Sequence, residues 1–177
     1  MTAPARRHAQ VVNLDELEPM ERTKGRFGVK AKRLGASAGT KAVGFNWMEL
    51  QPGMTSFPYH WHAGIEEGLY VLAGTGELRV GKDTVQVRAG DYAAFPAGPE
   101  HAHTLTNTGK VPLQYLTLSN QNTTDIIGYP DSNKFAFGGM QDPSKWPNDM
   151  WVRKLIRDQE SVDYYDGEDT GAKQGRE

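Results

Sequence analysis

His60-Trp61-His62-Ala63-Gly64-Ile65-Glu66-Glu67-Gly68-Leu69-Tyr70-Val71-Leu72-Ala73-Gly74 is the stretch whose reading decides the fold. Side chains of an extended strand alternate between its faces, so His60 and His62 project the same way, one pleat apart, within reach of a shared cation. If Ala63-Gly64-Ile65-Glu66 is a short connection and the next strand pairs beside the first, Glu67 returns to the same place. Leu69 and Val71 share the parity of Glu67 and are expected to line an interior. Tyr70 and Leu72 have the opposite parity yet are also apolar, which predicts a covered outer face; the cover is either a second subunit or the chain's own termini. Trp61 belongs to this outer set.

A later segment, Gly90 to Asn107, reads FPAGPEHAHTLTN in its second part and adds His101 and His103 on another predicted strand. On a regular strand these two histidines face the same way, so parity does not choose between them as a further ligand. Neutral imidazoles with one carboxylate suit a first-row divalent cation, because the nitrogens are borderline ligands and a single anion leaves the ion electrophilic.

The arrangement resembles the cupin superfamily. The first cupin motif is met by Gly53, His60, His62, Glu67 and Gly74, with one extra residue between Gly53 and His60. The second is met by Gly90, Pro96, Gly98 and Asn107, with two extra residues in its loop. Counting forward from Gly98 gives His101, whereas counting back from Asn107 gives His103. The phrase FPAGPEHAHTLTN looks like a cupin subgroup, mostly single-domain bacterial proteins, in which the later histidine ligates, and this favours His103. The resemblance implies a metal set of His60, His62, Glu67 and His103 holding one Fe, Mn, Ni or Zn ion per chain. It leaves two adjacent positions of an octahedral ion for water, oxygen or a bidentate substrate. It implies oxygenase-type chemistry first, then Lewis-acid isomerase, lyase or decarboxylase chemistry, then a non-catalytic small-molecule binding or sensory module. The Lewis-acid route needs a proton carrier, and His101 is the candidate catalytic residue, since Glu66 and Tyr59 have the outward parity.

Composition bounds the alternatives. The chain has 177 residues, 20 glycines, 10 prolines and no cysteine. Glycine and proline punctuate short alternating apolar runs, as in an all-β fold with many turns. Without cysteine there are no disulfides, thiolate zinc sites or cysteine nucleophiles. A formal net charge of −2 argues against a nucleic-acid partner. No stretch has the length and apolarity of a signal peptide core or a membrane span, so a cytoplasmic protein is expected; the cupin resemblance implies a small-molecule partner and a homodimeric state.

Eight strands are predicted between Ala42 and Ser119, with turns at Gly81-Lys82-Asp83, Ala89-Gly90-Asp91 and Thr108-Gly109-Lys110. They fit a double-stranded β-helix, the jelly roll of a cupin barrel, over residues 41–120. Residues 1–40 form an N-terminal strand extension carrying Arg22, Lys24, Arg26, Lys30, Lys32 and Arg33, enough local charge to attract an anion, although charge runs usually form a solvated face. Residues 121–177 form a C-terminal extension that packs on the barrel. In it Asp149 to Arg157 has apolar residues at helical spacing, with strand as the competing reading, and a disordered tail follows from Glu168. Phe57, Tyr92, Phe95, Phe135 and Phe137 either pack in the core or line the pocket.

Overall fold

Alternating apolar residues between tight turns fold the chain into two facing β-layers. A computed structural model describes residues 8–145, 148–158, 161–162, 164 and 166–167; the tail expected from Glu168 lies outside them. A hairpin of β1 (Met20–Lys24) and β2 (Phe27–Lys32) precedes a one-turn helix, α1 (Leu34–Ala38), and β3 (Val43–Leu50). The motif-bearing part contributes β4 (Trp61–His62), β5 (Glu67–Ala73), β6 (Thr75–Val80), β7 (Asp83–Arg88), β8 (Tyr92–Phe95), β9 (His103–Thr106) and β10 (Leu113–Asn120). Three further strands follow, β11 (Thr124–Tyr129), β12 (Lys134–Met140) and β13 (Met150–Arg157).

One layer is an antiparallel sheet in the order β1-β2-β3-β10-β5-β8. Facing it are the ladders β13-β12-β11-β4 and β7-β6-β9. These two meet where the His60 N–H donates to the His103 carbonyl at 3.2 Å and the His103 N–H donates to the His60 carbonyl at 2.8 Å. The result is the double-stranded β-helix expected from the sequence. Leu50, Leu69, Val71, Leu78, Leu105 and Leu113 fill the space between the layers, each at most 4% exposed.

Leu69 and Val71 point inward as their parity requires, but Tyr70 and Leu72 remain 41% exposed, so the described termini do not cover that face. Trp61 is different. Its indole crosses Gly128 on β11, where no side chain intervenes, to meet the edge of Phe135 on β12. The chain's own C-terminal strands therefore shield the outer side of β4.

Two local readings change. Of the strand expected to carry His60 and His62 only Trp61 and His62 form a ladder, because Pro58 has no N–H to donate and breaks the pairing. Residues 149–157 do not form the helix their spacing suggested: β13 pairs with β12 from Met140↔Met150 to Lys134↔Arg157, since β12 presents an otherwise open edge.

Candidate metal centre

β4 and the bridge residue His60 lie opposite the start of β5, so the side chains of His60, His62 and Glu67 meet between the layers. Their donor atoms all lie within 4.8 Å of one another. His103 is outside that tightest trio, but its Nε2 approaches the same Glu67 Oε2 at 3.3 Å. His62 Nε2 is also 3.3 Å from this oxygen, and His60 Nε2 is 3.8 Å away. The three imidazoles are no more than 12% exposed and the glutamate 28%.

The other side of each ring fixes its tautomer. Nδ1–H of His60 donates to the Pro58 carbonyl at 2.9 Å, that of His103 to the His101 carbonyl at 3.1 Å, and that of His62 to Asp125 Oδ2 at 2.5 Å. Carbonyls only accept, so the protons of His60 and His103 sit on Nδ1 and their Nε2 lone pairs face Glu67. Lone pairs and a carboxylate oxygen aimed at one spot repel unless a proton or cation lies between them. This is the donor chemistry of a divalent-metal site, with its outer hydrogen bonds in place.

Ionisation in the metal-free site follows the same contacts. Burial, reinforced by neighbouring His103, pushes His60 down to about 4. Burial would also lower His62, but the Asp125 and Glu67 carboxylates outweigh it and raise this ring to about 9. For Glu67, burial alone would raise the carboxyl; the imidazoles of His103 and His62, each 3.3 Å from its Oε2, hold it well below the usual carboxylate range. The metal-free site thus keeps one proton on His62, which an arriving cation must displace.

His101 does not join the cluster. It ends a 3₁₀ turn at Pro99–His101 rather than lying on β9, so it shares no parity with His103, and its Nε2 pairs with Glu100 at 3.6 Å. Its backbone carbonyl, not its ring, serves the site by holding His103. The proton-carrier role therefore lacks geometric support. Tyr59 donates its hydroxyl to the Gly81 carbonyl at 2.7 Å, away from the cluster. Asp125 is the residue that sequence reasoning missed. Its one signal was an acid inside the strand-like run Thr124-Asp125-Ile126-Ile127, beyond the part where the strand pattern is clear. Asp125 Oδ1 also accepts from the Gly64 N–H at 3.0 Å, so one carboxylate ties the ligand strand and its turn together.

The second motif is structural around this centre. Gly98, at φ +130°, donates its N–H to the His62 carbonyl at 2.9 Å. Asn107, fully buried, donates to the carbonyls of Leu50 at 2.8 Å and Val111 at 2.9 Å and accepts from the Gly109 N–H at 2.9 Å. Of the five aromatics, Phe95 stacks on His103 with ring centres 3.6 Å apart, and it and Phe57 line a cavity beside His60 and His103; Phe135 and Phe137 pack on each other, and Tyr92 is 63% exposed.

Residues 46–119 match the family described as Cupin domain. That segment is a cupin domain. Among curated proteins this cupin is similar to a quercetin 2,3-dioxygenase from Bacillus subtilis, 32% identical over 76 residues, which are 42% of this chain and 23% of the relative. The chain thus spans less than a quarter of that relative's length. Among solved structures it is similar to a sugar phosphate isomerase of the cupin superfamily from Silicibacter pomeroyi, 26% identical with a TM-score of 0.70, covering 89% of this chain and 94% of the other. A structure from Acidithiobacillus ferrooxidans, 22% identical with a TM-score of 0.72 over 88% of this chain and 97% of the other, shares the fold. Among the described residues no helix is long and apolar enough to cross a membrane.

Proposed function

We propose that this cupin is a mononuclear divalent-metal enzyme acting on the carbonyl of a small polar molecule, as an isomerase, lyase or decarboxylase. The observation that carries the reading is the convergence of three imidazole Nε2 atoms on one Glu67 oxygen, beside a cavity of about 200 Å³. An Fe, Mn, Ni or Zn ion held by His60, His62, Glu67 and His103 would supply a Lewis acid that polarises a carbonyl or enolate. The chain's own residues bind and orient. Asn46 donates to Thr117 Oγ1 at 3.2 Å, and both line this cavity with Ser56 and Tyr115. Burial pushes the Tyr115 hydroxyl up, so at neutral pH it stays protonated. The cavity thus offers neutral hydrogen-bonding groups that suit hydroxyls, while Leu69, Phe95 and Leu105 exclude water.

The near full-length similarity to a sugar phosphate isomerase supports this class over the oxygenase chemistry that the sequence put first. The oxygenase is the second reading, favoured by the identity to quercetin 2,3-dioxygenase over part of the chain. Metal analysis of protein purified without added metal, followed by turnover assays of hydroxy-carbonyl compounds under argon, tests the proposal. One metal per chain and turnover without oxygen are expected. Turnover that needs oxygen would give the oxygenase. Ligand-dependent thermal shifts without product would leave a binding module.

A further inference from the structure

A second cavity, of about 260 Å³, continues outward from the one at the metal centre, and the two share Asn46, Met48, Phe57 and Glu67 in their walls. The two adjoin along this shared wall, an inner lobe at the metal centre and an outer lobe beside it. The chemistry of the lobes differs. The inner lobe holds His60, His103 and neutral hydroxyls. The outer lobe brings together three cations from separate elements: Arg22 on β1, Arg33 just before α1, and Lys41 just before β3. Gln121, Ser119 and Thr40 add neutral polar groups to the same wall. Among the described residues that line it, Glu67 is the only acid, and it sits at the junction with the inner lobe.

Two contacts shape this wall. The Arg33 Nη2–H donates to the Ser144 carbonyl at 3.0 Å, which anchors the guanidinium beside the cavity. Lys41 Nζ lies 3.9 Å from Asp142 Oδ2, with the lysine side chain 75% exposed, a loose and screened pair. A concavity lined by one sign of charge focuses a field that draws ligands of the opposite sign. Arginine forks match the planar or tetrahedral oxygens of carboxylates and phosphoryl groups.

We propose that the outer lobe is an oxyanion subsite in which Arg22, Arg33 and Lys41 hold the phosphoryl or carboxylate end of a substrate whose neutral, hydroxylated end lies in the inner lobe. This rests on the inner lobe being the reaction site, and it adds the substrate class: a small anionic molecule long enough to reach both lobes. Arg22 and Arg33 of the N-terminal extension thereby acquire a role as specificity determinants rather than a solvated face.

The test is binding of inorganic phosphate and of succinate, followed by titration calorimetry, to metal-loaded and chelator-stripped full-length protein. Arg22→Gln, Arg33→Gln, Lys41→Gln and His62→Ala variants are compared with the parent. Loss of one charge-assisted contact is expected to weaken the preferred anion about tenfold. Binding is expected to survive both metal removal and His62→Ala. Tighter phosphate than succinate identifies a phosphoryl end, and the reverse a carboxylate. Anion binding that disappears on stripping the metal, yet is untouched by the three cation variants, would overturn the proposal by placing the anion on the metal. Absence of saturable binding to the parent would overturn it as well. Arg22→Gln and Lys41→Gln keep the test decisive if Arg33→Gln unfolds through loss of its Ser144 contact. Metal analysis of the same samples separates the readings, since a protein that binds phosphate but no metal would sink the metal enzyme and leave the anion subsite standing.

Discussion

Asp125→Asn is the substitution that tests the metal centre most directly, because it changes no donor atom. In the parent protein, Asp125 accepts from His62 Nδ1–H at 2.5 Å and from the Gly64 N–H at 3.0 Å, one bond on each oxygen. An asparagine has one accepting oxygen. If that oxygen keeps Gly64, the amide NH₂ turns toward His62 and favours the tautomer whose proton sits on Nε2, where the cation should be. If it keeps His62, the ring loses its anionic partner and some basicity, and Gly64 loses its acceptor. Outer-shell partners of this kind are worth about 10- to 100-fold in metal affinity, or about 1.4–2.7 kcal/mol. Competition with a chelator, monitored at several pH values, measures it. In the parent, His62 titrates at about 9, so affinity should rise with pH until that ring has lost its Nε2 proton. In Asp125→Asn the rise should end at lower pH, and the plateau affinity should be lower. Unchanged affinity and pH dependence, in a folded variant, would refute the claim that this carboxylate prepares His62 as a ligand.

Further outcomes follow from the same geometry. Without metal, the raised His62 contributes stability that is fully present below pH 6.5 and is lost as pH rises toward 9. The lowered His60 favours folding above pH 6.5, and that contribution is lost as pH falls toward 4. Each shift corresponds to about 3 kcal/mol, so urea midpoints of chelator-treated protein should peak near pH 6.5 and fall on both sides, with metal flattening the alkaline limb. Asn107→Ala should cost about 2–4 kcal/mol in urea unfolding, since it strands the buried Leu50 carbonyl and releases two loop contacts. Light scattering should find a homodimer, because Tyr70, Leu72 and Tyr92 leave an apolar sheet face open. Leu72→Lys should then shift the protein to monomer, and a monomeric parent would refute that role for the face.

Sequence and structure agree most where chemistry is local and periodic. The His60/His62 parity and the inward set Glu67, Leu69 and Val71 follow from strand alternation alone, and the glycine turns set most of the strand ends. What escaped depends on contacts distant in sequence. Asp125 is 63 residues from His62, and no periodicity links them. The choice between His101 and His103 turned on a 3₁₀ turn that breaks strand parity, a feature that a regular strand reading does not contain. The helical spacing of 149–157 lost to an open strand edge on β12, because pairing partners outweigh local propensity. Arg22 and Arg33 were legible as charge but not as a cavity wall, which needs β1, α1 and β3 folded together.

The pairing of β4 with β11 has a consequence for how such a protein can change. Residues 46–119, which carry both motifs and every proposed ligand, leave out Asp125 and the partner strand for Trp61. The grip of the proposed ligands on an ion would thus be adjustable from an arm that supplies none of them. Substitutions in that arm could suit the same four ligands to a different metal while the barrel itself stays as it is.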